Sequence, residues 1–425
     1  MNATFIQAFR QSAPYINAHR GKTFVIMLDG DALSSERLPM IVQDIALLNS
    51  LGIRIVLVYG SRPQIDEVLA QSFLKSDMHM GKRVTSSAVL DIVKQVSGKL
   101  RFELEALFSN GLPNTPMHGA NIHTISGNFI TARPLGVLEG RDFHFTGEVR
   151  KVNDNGITQQ LNAGNIVLLS NIGYSPTGEC FNLAAEDVAV QAATALKAHK
   201  LIAYSDQGLL EHLPRELLPE QAKQLLQEDN NTALACLLAA CENNIERSHL
   251  ISYQRDGALL LELFTTNGCG VLLSKNPFES IRQANISDVG GIMELLAPLE
   301  QQGFLVKRDR ELLEQEIDHF IVVERDGMVI ACSALYPYDN HSAEIACVVT
   351  HPQFRGGHRG RQMLHFLEKR AKQQGFSAVF VLTTQTAHFF IEQGFQEASL
   401  DWLPEKKQQL YNFQRNSKIF TKTLQ

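Results

Sequence analysis

The sequence predicts an α/β protein: an open, parallel-rich αβα sandwich followed by a smaller α+β domain. Three observations carry this. At 425 residues the chain is too long for one ordinary core. Residues 22–274 alternate continuous apolar runs with amphipathic stretches, the pattern of buried parallel strands and their covering helices. After a polar, proline-containing joint at 275–280, the pattern changes to a hairpin and a strand–loop–helix unit rich in Gly and Arg.

The elements follow in order. Residues 1–20 put Phe5, Ala8 and Phe9 on one helical face, broken at Pro14, outside any strand–helix unit. They read as an arm for packing on a neighbouring subunit. The first domain, 21–274, opens with Thr23–Leu28, an apolar run closed by Asp29-Gly30. Helical periodicity over 38–51 leads to a buried strand, Arg54–Tyr59, closed by Gly60. A strand at 166–170, a helix at 185–197 and a strand at 201–204 continue the alternation. The second domain, 281–425, begins with a helix at 286–300. A hairpin of 320–324 and 329–336 turns at Asp326-Gly327. A strand at 343–349, a loop at 354–360, a helix at 361–374, the strand Ala378–Thr383 and a short helix before Gly394 complete it.

Composition narrows the function class. The apolar fraction of 44% and charged fraction of 20% are those of a soluble globular protein, and a net charge of −6 argues against a nucleic-acid surface. Six cysteines are scattered without a CxxC pair or zinc-like His spacing, so no metal is expected. Cys236 and Cys241, in an Ala/Leu-rich run, read as small buried thiols. No basic-then-apolar leader and no apolar run of about 18–20 residues is present. A cytoplasmic protein with reduced thiols and no membrane partner is the expectation.

The chemistry concentrates in Val348-Val349-Thr350-His351-Pro352-Gln353-Phe354-Arg355-Gly356-Gly357-His358-Arg359-Gly360. A strand ends, a Gly/Arg loop follows and an amphipathic helix begins. Such a turn offers a pyrophosphate backbone N–H groups, a helix N-terminus and guanidinium charge. The alternative is an ordinary solvated turn. Upstream, alternation puts Glu344 on the face of Ala346 and Val348, opposite Ile345, Cys347 and Val349. A carboxylate in a mostly apolar neighbourhood can have its pKa raised until it accepts an amine's proton near neutral pH. Read alone, Glu344 is equally a solvated strand glutamate.

The loop resembles that of the GNAT acetyltransferase superfamily, Arg/Gln-x-x-Gly-x-Gly/Ala, with His358 where the first motif glycine is expected. Segments 298–303, 330–337, 382–384 and 410–418 are similar to bacterial N-acetylglutamate synthases, and the likeness extends over the whole chain. The resemblance implies an acetyl-CoA site of Val348, Val349, Arg355, Gly356, Gly357, His358, Arg359 and Gly360. It implies direct transfer to the α-amino group of L-glutamate with Glu344 as base. A backbone N–H after a strand bulge near Cys347 and Val348 would polarise the thioester carbonyl, and Thr383 would protonate the leaving thiolate. Lys307, Arg415 and Ser417 match the glutamate-binding positions, Lys307 standing where relatives often carry arginine. Cys347 as a covalent nucleophile is the alternative chemistry.

The front domain resembles amino-acid kinases, specifically acetylglutamate kinase, in segments 24–31, 58–65, 83–85 and 181–186. Kinases of this class place a lysine in the first strand. Here Met27 or Leu28 occupies that stretch, and Glu186 replaces an aspartate. Phosphoryl transfer depends on positioned charge, so kinase activity is not expected. Segments 247–253 and 259–270 resemble the arginine site of arginine-sensitive kinases. His249, Glu262, Gly268 and Gly270 fall on its motif, Tyr15 approaches the effector, and Glu262 pairs with the effector's charged nitrogens. Alone, His249 is an ordinary core or surface histidine. The family's N-terminal arm implies a homohexamer. Three functions stay open: acetyl transfer to glutamate, the first step of arginine biosynthesis, with arginine inhibition; phosphorylation of acetylglutamate; and a non-catalytic arginine sensor.

Overall fold

The computed structural model describes all residues except 1, 111–120, 229–230, 266, 276–278, 326, 339–340, 357, 410, 412–416 and 425. Gly357, Arg415 and the turn residue Asp326 therefore lie outside the described residues, as does the side chain of Phe5. The chain divides into two compact units, Met1–Asn276 and Pro277–Gln425.

The front unit begins with α1 (Asn2–His19), then β1 (Thr23–Leu28), α2 (Leu38–Ser50), β2 (Arg54–Tyr59) and the long α3 (Ser87–Ser109). It continues through β3 (Thr124–Ser126), β4 (Ile166–Leu169), α4 (Ala185–Ala195), β5 (Lys200–Ser205) and β6 (Glu216–Leu217). It ends with α5 (Thr232–Glu242), β7 (Arg247–Ser252), α6 (Ala258–Phe264) and β8 (Val271–Ser274). The main sheet runs β6-β8-β7-β5-β1-β2-β4-β3, parallel throughout except between β7 and β8. This is the open, parallel-rich sandwich the apolar runs predict. Alternate residues of the central strands feed two cores: Val25, Met27, Val56 and Val58 pack on the side of α4 and α5, Phe24, Ile26, Ile55 and Leu57 on that of α2 and α3. A small mixed sheet of Ile130–Pro134, Gly147–Val152, Ile172–Tyr174 and Cys180–Asn182 was not anticipated.

The helix α1 corrects one expectation. It continues through Pro14, whose missing N–H forfeits one helical hydrogen bond, instead of breaking there. It also docks on its own unit: Ser12 Oγ donates to the Phe264 carbonyl (3.1 Å), His19 Nε2 meets Leu263 O (3.0 Å), and Tyr15 and Ile16 pack on the core.

The second unit holds β9 (Glu279–Gln283), α7 (Val289–Gln301), α8 (Arg310–Gln315), β10 (Phe320–Arg325), β11 (Met328–Pro337) and β12 (Ser342–Thr350). It continues with α9 (Arg359–Gln373), β13 (Ala378–Thr383), α10 (Ala387–Glu392), β14 (Gln396–Ala398), α11 (Glu405–Gln409) and β15 (Lys418–Thr423). Its sheet runs β9-β10-β11-β12-β13-β15-β14 and is antiparallel except for β12 beside β13. That parallel ladder spans only Ser342–Glu344 against Ala378–Phe380, although both strands run further. Beyond it the strands part. Among the described residues no helix is long and apolar enough to cross a membrane.

Candidate active site

The strand β12 does not keep simple alternation. Its ladder with β11 slips one residue between Cys332 and Ala334, and Cys347 takes a φ of 53°. Cys347 and Val348 thus face the single residue Ser333, a bulge that reverses the pleat. Ala346, Cys347 and Val349 pack on the α7 side, while Val348 joins Ala343 and Ile345 on the α9 side. Glu344, opposite Tyr336, therefore shares its face with Cys347 and Val349, not with Val348. A left-handed non-glycine residue costs about 1–2 kcal/mol, strain held here where the strand must re-aim its N–H groups.

The surroundings of Glu344 are less apolar than expected. Its carboxylate is buried, yet Lys407 Nζ lies 2.6 Å from Oε2 and the Tyr338 hydroxyl donates to the same oxygen at 3.3 Å. Burial and the charge of Glu344 push the Tyr338 phenol well up. Lys307 is exposed, whereas its neighbour Arg308 turns inward, 3.8 Å from Glu316, with its charge felt by Cys347 and Tyr336. Sequence reasoning missed Arg308. Its position one residue from the motif match is the signal that could have found it. Burial, aided by Glu344, Glu316 and Glu300, outweighs Arg308 and pushes the Cys347 thiol up to about 11. A thiol so protonated is a poor nucleophile near neutral pH.

The loop before α9 resolves by residue. Arg355 and Gly356 are exposed, and Gly356 has a φ of 90° with open space where a side chain would stand. His358 occupies the left-handed region (φ 60°) at the head of α9, whose first N–H groups have no side-chain cap. The motif's histidine-for-glycine departure thus sits at a position with a glycine-like backbone. A Cβ on Gly360 would lie 3.0 Å from the Phe389 ring, so this glycine admits packing on α10. Arg359 departs from its expected phosphate role. Its guanidinium makes a two-pronged pair with Glu279 of β9 (2.6 and 2.7 Å) and donates to Phe354 O (2.6 Å). Arg325 joins Glu279 at 3.0 Å, so the loop is clamped to the sheet edge.

Thr383 ends β13, where Val379 and Val381 point to the α9 side and Phe380 to the other. The pleat directs it away from the Glu344 face, and its hydroxyl is engaged by Thr386 (Oγ1 at 2.9 Å, N–H at 3.1 Å). The carbonyl of Ser417 accepts from Tyr411 at 2.7 Å.

The front unit holds a second buried cluster. Lys200 donates to His249 Nε2 (3.0 Å), and His249 Nδ1 donates to Glu262 Oε1 (2.7 Å), which assigns a neutral imidazole. Burial and then Lys200 pull the His249 pKa to about 4 against the pull of Glu262. Glu262 Oε2 accepts the N–H groups of Cys269 (2.7 Å) and Gly270 (2.8 Å). Burial raises the Glu262 pKa, but these hydrogen bonds prevail and hold it at about 2. Both oxygens of Glu262 are thus engaged internally, Oε2 twice and Oε1 once. A Cβ on Gly268 (φ 57°) would lie 2.6 Å from Glu262 Oε2, and one on Gly270 2.3 Å from Leu250 O. Both glycines are required by this closeness.

The C-terminal ends of β1, β2 and β4 line a cavity of about 180 Å³ with Met27, Asp29, Arg62, Arg83 and Glu186 on its wall. Buried Met27 supplies a thioether where phosphoryl transfer needs an ammonium. Arg83 is paired with Asp66 at 2.5 Å, and burial lifts the Asp29 pKa to about 6.

Comparison with known proteins agrees with both units. Residues 22–244 match the amino acid kinase family and residues 290–395 the acetyltransferase (GNAT) family. The amino-acid acetyltransferases of Photobacterium profundum and Pseudomonas putida are each 50% identical to the chain, over 98% and 99% of both partners respectively. An N-acetylglutamate synthase structure from Neisseria gonorrhoeae, complexed with coenzyme A and L-arginine, is 36% identical, covers 99% of each chain and superposes with a TM-score of 0.88. The same Neisseria enzyme complexed with coenzyme A and N-acetyl-glutamate gives a TM-score of 0.62. Fold and site together define a GNAT-type acyltransferase using acetyl-coenzyme A, preceded by an amino-acid-kinase fold. The chain belongs to the amino-acid acetyltransferase family.

Proposed function

We propose that the protein transfers acetyl from acetyl-coenzyme A to the α-amino group of L-glutamate by direct attack, the first step of arginine biosynthesis, under feedback inhibition by L-arginine. The observation that carries this is Glu344: a buried carboxylate beside a bulged strand, with the inward cations Arg308 and Lys407 on hand for an acidic amino acid. Glu344 takes a proton from the substrate ammonium, and the neutral amine attacks the thioester carbonyl carbon. The N–H exposed by the bulge at Cys347–Val348 donates to the developing oxyanion. Collapse expels the coenzyme A thiolate, which takes a proton from water, since the Thr383 hydroxyl faces away and is engaged by Thr386. The high pKa of Cys347 supports direct transfer over an acyl-cysteine. Arg355, Gly356, Gly357, His358 and the start of α9 meet the pyrophosphate, while Arg359 holds the loop's shape. Arg308, rather than Lys307, joins Arg415 and Ser417 in holding substrate carboxylate.

The front unit, 21–274, is regulatory in this reading. Tyr15, His249, Glu262, Gly268 and Gly270 form the arginine site, Glu262 by shaping the glycine loop. The N-terminal helix, whose Ile6 and Phe9 are exposed, joins copies into a cytoplasmic homohexamer. Coenzyme A, arginine and N-acetyl-glutamate in the Neisseria relatives support the reading. Free-thiol release from acetyl-coenzyme A, with and without glutamate and across an arginine titration, tests it. Release that depends on glutamate and declines with arginine is expected; release indifferent to glutamate contradicts it.

A further inference from the structure

We propose that Lys407 is a specificity-determining residue that exchanges ion-pair partners with the incoming amino acid, releasing Glu344 and taking the substrate's α-carboxylate. The inference rests on the glutamate reading above and extends it to a residue in none of the motifs.

Lys407 stands on α11, a single short turn of helix. Buried Leu403 anchors this helix in a small core with Phe380 and Ile419, and Gln408 Nε2 donates back to Leu403 O at 2.7 Å. Its ammonium reaches Glu344 Oε2 at 2.6 Å, with the carboxylate side chain 7% exposed and the lysine 23%. Tyr338 donates to the same oxygen, so neither contact uses Oε1. An incoming ammonium must share this carboxylate with Lys407 or displace it.

An α-amino acid carries both charges of this pair, on groups attached to the same carbon. Its ammonium can replace Lys407 at Glu344 while its α-carboxylate receives the ammonium so displaced. Every charge then stays paired in a site too buried to leave one uncompensated. A plain amine, or an amino acid whose α-carboxylate is an amide, offers only half of the exchange and strands the lysine. Lysine suits this role because its charge sits on a flexible stem and can follow the carboxylate.

Thiol release with glutamate and with glutamic acid α-amide, by the native enzyme and by Lys407→Met and Lys407→Arg, tests the proposal. Removing one charge-assisted hydrogen bond to a substrate lowers kcat/KM by roughly 10–100-fold. Lys407→Met is expected to lose about that factor with glutamate, through KM, and to change less than about 3-fold with the α-amide. Lys407→Arg should recover most of the loss, and the acetyl-coenzyme A KM should hold in both variants, which also reports that the site is folded. Equal losses with both substrates, or an unchanged glutamate KM in Lys407→Met, overturns the exchange while leaving the glutamate reading intact. No glutamate-dependent release by the native enzyme overturns both.

Discussion

Two buried carboxylates, one in each unit, have opposite fates. Glu262 is met by a histidine and two backbone N–H groups, donors fixed by the strand and the glycine loop, and both its oxygens are engaged. Glu344 is held at one oxygen by a tyrosine and a long, partly exposed lysine. Rigid donors lock a carboxylate into the fold. A cation on a long stem holds one by a contact that a substrate can exchange. Burial alone does not mark a base; the stiffness of what surrounds it does.

The largest break in this contrast should come from Glu344→Gln. Its kcat is expected to fall about 10²–10⁴-fold, with the acetyl-coenzyme A KM within about 3-fold, by steady-state thiol release. Glu262→Ala should act on stability instead. Stranding His249 and two N–H groups costs about 3 kcal/mol or more, so calorimetry should show the front unit melting roughly 6–12 °C lower. An equal melting loss in both variants would erase the distinction.

The front cluster also predicts a pH response. His249 protonates near 6.5 in the unfolded chain but near 4 in the fold, so the unfolded state binds more protons in between. The contribution of His249 to the stability of the front unit should therefore fall as pH drops through that window, by up to about 1.4 kcal/mol per unit, while Asp29 and Asp44, raised to about 6, act in the opposite sense. Glu262, held low, loses its contribution only below its unfolded value of 4.5. Melting scans from pH 7 to 5 on the native protein and on His249→Gln should differ by this slope, the native protein losing more stability relative to the variant as pH falls. A smaller effect is expected at the loop clamp. Glu279→Gln frees Arg359 and should raise the acetyl-coenzyme A KM about 3–10-fold with kcat retained, a split that general loss of structure would not give.

Much of this was legible in the sequence, for reasons with definite reach. The runs Thr23–Leu28, Arg54–Tyr59 and Ala378–Thr383 reveal themselves because strands buried on both faces are apolar without interruption. The missing first-strand lysine was equally plain, with Met27 or Leu28 in that stretch. Cys347 was harder: a bulge adds one residue and inverts everything after it, yet leaves no periodic trace. The partners of Arg359 and Glu344 lie 80 and 63 positions away, at Glu279 and Lys407, and no local pattern encodes such pairs. Lys307 and Arg308 are adjacent cations whose roles differ only by which one turns inward. Pro14 reads as a break because propensity argues locally, and docking on α6 overrides it.

The central claim is that Glu344 meets the substrate amine where the thioester is presented. A crystal structure with a bisubstrate ligand, coenzyme A joined through an acetyl bridge to the α-nitrogen of glutamate, tests it most directly. The account predicts that nitrogen within about 3.5 Å of Glu344, directly or through one water, with Lys407 drawn onto the ligand's α-carboxylate. Glu344 still paired with Lys407, and the ligand nitrogen lodged elsewhere, would contradict it.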